Sequence, residues 1–185
     1  QNHNFPAHST KLDEYMLNVP ESYDFDDKEV VLETKTQFEL ECLVNGEVMP
    51  IEEASDSMFA HKLMGDGIMI RPSDGVVVAP CDGVISMVYP TKHAIGITID
   101  DNTQILIHFG TDSAKLNGRG FELLVKPNQK VKAGDVLWNA DLTYIKENAL
   151  DENIIVVFTK IKDGAELEKK YGKMQCHDMM LRVKG

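Results

Sequence analysis

The run KHAIGITIDDNTQILIHFGTD, residues 92–112, constrains the fold most tightly. Two β-branched, apolar stretches, AIGITI and QILIH, flank DDNT, a cluster of turn formers, and this pattern predicts an antiparallel hairpin. With Ile99 opposite Gln104, Ile95 falls opposite His108, and His93 lies one diagonal step away on the same face. Diagonal neighbours of this kind sit about 7–8 Å apart at Cα, within side-chain reach. A slip of one residue sends the two rings to opposite faces. In a chain with 6 histidines, the register therefore decides whether a histidine pair exists.

From Phe38 onward the same texture repeats. FELECLV, EVMPI, GIMIRP, VVVAP, VISMVYP, FELLV, KVKAGDVLWNA and IIVVF are short β-prone runs separated by Asn-Gly, Asp-Gly, Pro and Lys-Pro-Asn turns. Short strands at regular spacing predict an all-β fold, an antiparallel sandwich or barrel. Helix is confined to two short candidates. One is LTYIKENAL, with Asp141 as N-cap; the other is GAELEKKYG, ended by Gly172. CLVNGEVMPI…GDGIMIRP and APCDGVISMVYP…AIGITIDD echo one another, as expected of a core built from two similar half-motifs.

Charge and cysteine content narrow the function. The 185-residue chain carries a formal charge of −11, from 30 acidic and 19 basic residues, so it lacks the basic surface that nucleic acid requires. Residues 1–37 are distinct. There Asp13, Glu14, Glu21, Asp24, Asp26, Asp27, Glu29 and Glu33 outweigh Lys11, Lys28 and Lys35. The segment reads as an acidic linker or N-terminal arm with a short docked strand at Val30–Glu33, ahead of a domain spanning 38–185. A chain that opens without Met fits a piece of a longer polypeptide. Cys42, Cys81 and Cys176 form no CxxC pair, which favours a reducing, cytoplasmic setting. No apolar run reaches the length of a membrane span.

A lone histidine on an apolar strand is ordinarily a core residue satisfied by the backbone. Two on one hairpin face, followed by a glycine at Gly110, support chemistry instead. A neutral imidazole can accept a phosphoryl group covalently while a second ring donates to the phosphoryl oxygens. Alternatively, His93, His108 and a carboxylate hold Zn²⁺, or one ring acts as a general base.

GDGIMIRP (65–72), APCDGVI (79–85), TKHAIGI (91–97), ILIHFGTD (105–112), LNGRGFE (116–122) and VKAGDVL (131–137) together resemble the glucose-type enzyme IIA domain of the bacterial sugar phosphotransferase system. The resemblance implies a cytoplasmic β-sandwich phosphocarrier, a phosphotransferase component sometimes fused to a membrane permease. Such a domain takes a phosphoryl group from the histidine-containing phosphocarrier protein and passes it to a cysteine of an enzyme IIB domain. It also implies the roles. His108 carries the phosphoryl group, His93 partners it, Thr91 supports the pair, Asp112 is the acid beside it, and the Gly110 carbonyl fixes the His108 tautomer. Met58, Phe59, Leu63, Met64 and Tyr89 fall where the family builds an apolar rim for its partners; for Leu63 and Met64, core packing is an equal reading. No cofactor is required, although Zn²⁺ can bridge the two rings.

Pro90, exposed His61 and the ending KMQCHDMMLRVKG depart from the family pattern, and His177 in that ending is read as structural. A phosphorylation-dependent regulatory role is the nearest alternative. A zinc peptidase is disfavoured because IHFG lacks the second histidine of a His-x-His pair. A biotinyl or lipoyl carrier, suggested by VKAGDVLWNAD, is disfavoured because no modifiable lysine stands at a Met-Lys-Met-like hairpin tip.

Overall fold

A computed structural model describes residues 37–185; the acidic arm up to residue 36, with its expected strand at Val30–Glu33, lies outside the described residues. The strands are β1 (Gln37–Glu41), β2 (Gly46–Pro50), β3 (Gly67–Pro72), β4 (Val76–Val78), β5 (Gly83–Val88), β6 (Ala94–Asp100) and β7 (Thr103–Thr111). They continue as β8 (Phe121–Leu123), β9 (Lys130–Val131), β10 (Val136–Ala140), β11 (Asp151–Lys160), β12 (Glu166–Lys169), β13 (Gly172–Met174) and β14 (Met179–Lys184). Two short α-helices interrupt them, α1 (Ser57–Ala60) and α2 (Leu142–Asn148). As expected, Asp141 caps α2 by accepting from the Tyr144 amide at 3.0 Å.

Eight strands form one antiparallel sheet in the order β13-β2-β3-β11-β7-β6-β5-β9, and two three-stranded sheets, β1-β14-β12 and β4-β10-β8, complete the fold. The two expected half-motifs are visible in that order. Each glycine-led strand, β2 or β5, pairs antiparallel with its successor, β3 or β6, and the two pairs flank the central strands β11 and β7.

One face of the large sheet packs against the small sheets around Ile70, Ile97, Ile107, Phe109, Val156 and Trp138. The opposite face carries a smaller cluster of Ile51, Phe59, Met69, Met87, Ala94, Leu106, Ile155 and Val157. Strand alternation makes this division: Ile105, Ile107 and Phe109 point to the main core, while Leu106 and His108 point to the other face. Both faces are covered, which explains why β6 is buried along its whole length.

Two expectations are corrected. The β6–β7 register places Ala94, not Ile95, opposite His108, and a bulge between Thr98 and Asp100 leads into the turn. GAELEKKYG does not form a helix. Residues 166–169 are strand β12, paired with β14 so that Leu167 meets Val183 and Glu168 meets Arg182. Its helix formers are locally favourable, but a short helix there would bury only Leu167, whereas the edge of β14 supplies both packing and ladder bonds.

Gly67 meets β11 at a point with no room for a side chain, since an added Cβ would lie 1.8 Å from the Val156 carbonyl oxygen. Gly67→Ala is expected to force β3 away from β11 and cost on the order of 3 kcal/mol, read from the urea midpoint. Asp66 ties the segment before β3 to β12. Burial pushes its carboxyl up, but the Lys169 ammonium at 2.6 Å, the Gly67 amide and Lys62 outweigh burial and hold it below the ordinary carboxylate value. A depressed carboxylate stabilises the fold above its unfolded pKa and loses that contribution as pH falls through the folded value. Asp66→Asn should therefore be less stable than wild type at pH 7, and the difference should close below pH 3.8 in urea titrations.

Candidate functional site

His108 stands on the outer face of the large sheet in a cross-strand row: Met49 of β2, Met69 of β3, Ile155 of β11, His108 of β7 and Ala94 of β6. Its neighbours are thus bulky on one side and small on the other. The methyl group of Ala94 leaves the space into which a cleft opens.

His93 reaches that space from the chain before β6. In the observed register His93 is opposite Phe109, whose amide donates to the His93 carbonyl at 2.7 Å. Continued strand alternation would turn its ring away from His108. Instead, the turn Tyr89–Lys92 closes through a Lys92 amide to Tyr89 carbonyl bond, and Lys92 takes a left-handed φ of 62°. The buried indole of Trp138 donates to the Lys92 carbonyl at 2.7 Å and fixes the turn to β10. Released from alternation, the His93 ring lies edge-on to His108, with centroids 4.8 Å apart and planes at 84°. The pair anticipated from the sequence exists, but in a different register and by a different route.

The two rings differ in setting. His93 is only 1% exposed and packs against Tyr89 and Phe121, with centroids 4.4 and 6.4 Å away. Its Nδ1 lies 2.7 Å from the Thr91 hydroxyl. His108 is half-buried, with Phe59 tilted against it at 5.1 Å. Phe59 is placed by α1, whose N-cap Asp56 accepts from the Met58 amide at 2.9 Å.

A cleft of about 380 Å³ opens over these rings. One wall is Ser55, Asp56, Phe59 and Met64; the other is Thr111, Asp112, Ser113, Ala114 and Leu150. Asp112 is exposed at a left-handed φ of 55°, and its carboxylate is paired with Lys115 at 3.2 Å. Gly110 turns the chain at φ 84°, and its carbonyl receives the buried Ser113 hydroxyl at 3.3 Å.

Of the anticipated rim, Phe59, Met64 and Tyr89 line the cleft, and Leu63 is 47% exposed nearby in sequence. Met58 is corrected: it is buried, as Phe59 is, but unlike Phe59 it does not line the cleft. His177 accounts for itself structurally through a 2.9 Å pair with Glu41. The lining residues Ser55, Asp56, Ser113 and Leu150 were not anticipated. Of these only Asp56 had a local signal, an N-cap residue ahead of SMFA.

Two imidazoles offer a metal two of the four ligands that a tetrahedral zinc site takes. Among the described residues no group of three or more His, Cys, Asp or Glu stands together. A bridging zinc would have to draw its remaining ligands from elsewhere. No helix among the described residues is long and apolar enough to cross a membrane.

An antiparallel β-sandwich with an edge-on histidine pair on the floor of an apolar cleft defines the class. The family described as phosphoenolpyruvate-dependent sugar phosphotransferase system, EIIA 1, matches residues 38–164. The solved structure of glucose permease IIA from Mycoplasma capricolum is similar to this chain with a TM-score of 0.76 and 30% sequence identity, covering 80% of this chain and 96% of that one. The chain belongs to the EIIA 1 family of the sugar phosphotransferase system.

Because His93 is buried, the Thr91 contact bears on its tautomer as well as on stability. Thr91→Val, which keeps the shape and removes the hydroxyl, should lower stability by about 1–2 kcal/mol. It should also shift the His93 imidazole nitrogen resonances while leaving those of His108 nearly in place.

Proposed function

We propose that this domain is a phosphocarrier that holds a phosphoryl group on His108. The group comes from the histidine-containing phosphocarrier protein and passes to a cysteine of an enzyme IIB domain. The observation that carries this reading is the edge-on contact of His93 with His108 at 4.8 Å, in a cleft of a member of the EIIA 1 family. Nδ1 of His108 is buried, so Nε2 is the nitrogen this reading assigns to the cleft.

Transfer forms an N–P bond to His108 as the N–P bond to the donor histidine breaks, with the donor ring leaving with the electron pair. The second transfer forms an S–P bond as the His108 bond breaks. Throughout, charge gathers on the phosphoryl oxygens and needs donors already in place. A Thr91 hydroxyl that donates to His93 Nδ1 keeps the His93 proton on Nε2, ready to donate to those oxygens. Phe59, Tyr89, Met64 and Leu150 give the cleft apolar walls on which a partner can close and exclude water.

Phosphorylation places nearly two negative charges between those walls, so the loaded and free forms present different surfaces. That contrast is the basis for the regulatory alternative. Either role carries with it a cytoplasmic location, as a separate chain or as a domain fused to or docked on a permease.

The test is intact mass after incubation with phosphoenolpyruvate, enzyme I and the histidine phosphocarrier. Wild type and His93→Gln should gain one acid-labile phosphate, and His108→Ala should gain none. Onward transfer to a IIB domain should fall at least 100-fold in His93→Gln. A wild type left unmodified by active donors would overturn the reading.

A further inference from the structure

The two walls of the cleft come from distant parts of the chain, and one carboxylate, that of Asp151, bonds to both. Asp151, the first residue of β11, accepts from the Ser55 hydroxyl at 2.9 Å through Oδ2. Through Oδ1 it accepts from the Thr111 hydroxyl at 2.7 Å and from the Asn153 amide at 3.0 Å. Ser55 belongs to the wall that carries Phe59 onto His108, and Thr111 lies three residues after His108 on β7. The backbone supports the same junction. Asp151 pairs with Thr111, the Leu150 amide donates to the Thr111 carbonyl, and the β7–β11 register shifts between Asp151 and Ile154.

The geometry assigns Asp151 as a positioning residue that sets the separation of the two walls, and with it the fit of the phosphoryl donor, on the phosphocarrier reading above. Asp151 is not among the cleft-lining residues; it acts through Ser55 and Thr111. The wall it restrains has little other regular structure. It is a single 3-10 turn at Ile51–Glu53 and the four-residue helix α1. A helix that short has no stability of its own, so its position depends on the packing of Ile51 and Phe59 in the second cluster and on what anchors its ends. At the far end the anchor is Asp66, through Lys62 and Lys169. At the cleft end it is Ser55 on Asp151. Leu150, 64% exposed on the opposite wall, is the residue immediately before this junction, so the same bond fixes an apolar contact for the incoming partner.

An amide in place of the carboxylate can preserve this arrangement. Asn accepts from Thr111 and from the Asn153 amide through its oxygen, and donates its NH₂ to a reoriented Ser55 hydroxyl. Alanine cannot. The experiment measures hydrogen exchange of the amides of residues 57–63 in the free protein, and the KM and maximal rate of phosphoryl uptake from the phosphorylated histidine phosphocarrier.

Asp151→Ala should speed exchange in that segment about ten-fold and raise KM about five-fold, with the maximal rate within two-fold of wild type. Ser55→Ala should produce the same pair of changes at smaller size, and Asp151→Asn should stay near wild type in both. Unchanged exchange in Asp151→Ala, or an Asn variant as impaired as the Ala variant, would overturn the assignment. Failure of wild type to take up phosphate defeats the phosphocarrier reading alone, because the exchange measurement decides the junction by itself.

Discussion

Two carbonyls at the entry to β6, those of Lys92 and His93, accept from opposite parts of the fold: the Trp138 indole of β10 and the Phe109 amide of β7. The site depends on this junction. It holds the left-handed turn at Lys92 against both a small sheet and the large one, so the His93 ring leaves the strand pattern at a fixed angle. Trp138 and Phe109 are fully buried and packed edge-to-face at 5.5 Å. The turn is therefore attached to the fully buried main core. Displacing it would require opening the main core, at about 1.5–3 kcal/mol for each large side chain exposed.

The division of the large sheet into two apolar faces follows the same logic. A sheet covered on one side only would leave His108 in water, among solvated neighbours. Here the second cluster, with Phe59 and Met64 on top, removes most water from around His108 while Ala94 keeps one side open. Group transfer needs that combination. The acceptor nitrogen must be reachable, and the donors that meet the phosphoryl oxygens must already be oriented, since reorienting dipoles during transfer costs free energy. On the proposed phosphocarrier reading, the buried ring of His93, in contact with Thr91, meets the second need, and half-buried His108 meets the first.

Much of this was legible locally. Alternation and turn residues marked β2 to β7 and the short helix after Asp141, because a strand with one buried face and a capped helix each leave a period in the sequence. Residues 166–169 misled for the opposite reason: Glu, Leu and Lys favour helix in isolation, and only the presence of β14 makes a strand better. The hairpin register was read one residue away from the observed one, because the bulge near Asp100 adds a residue that no local pattern announces. Met58 was read as surface because an apolar residue after a loop looks the same whether it turns inward or outward.

The amino-acid sequence by itself determined the all-β class, the pairing of two half-motifs, the family and the identity of the two histidines, since each rests on residue types at short spacing. Tertiary structure alone decided that His93 and His108 meet despite the register, that Met58 is buried, and that Asp151 joins Ser55 to Thr111 across 96 and 40 positions of chain. Contacts at such separations depend on the relative placement of whole strands. That placement is fixed by the sum of the packing, and no short segment of the sequence encodes it.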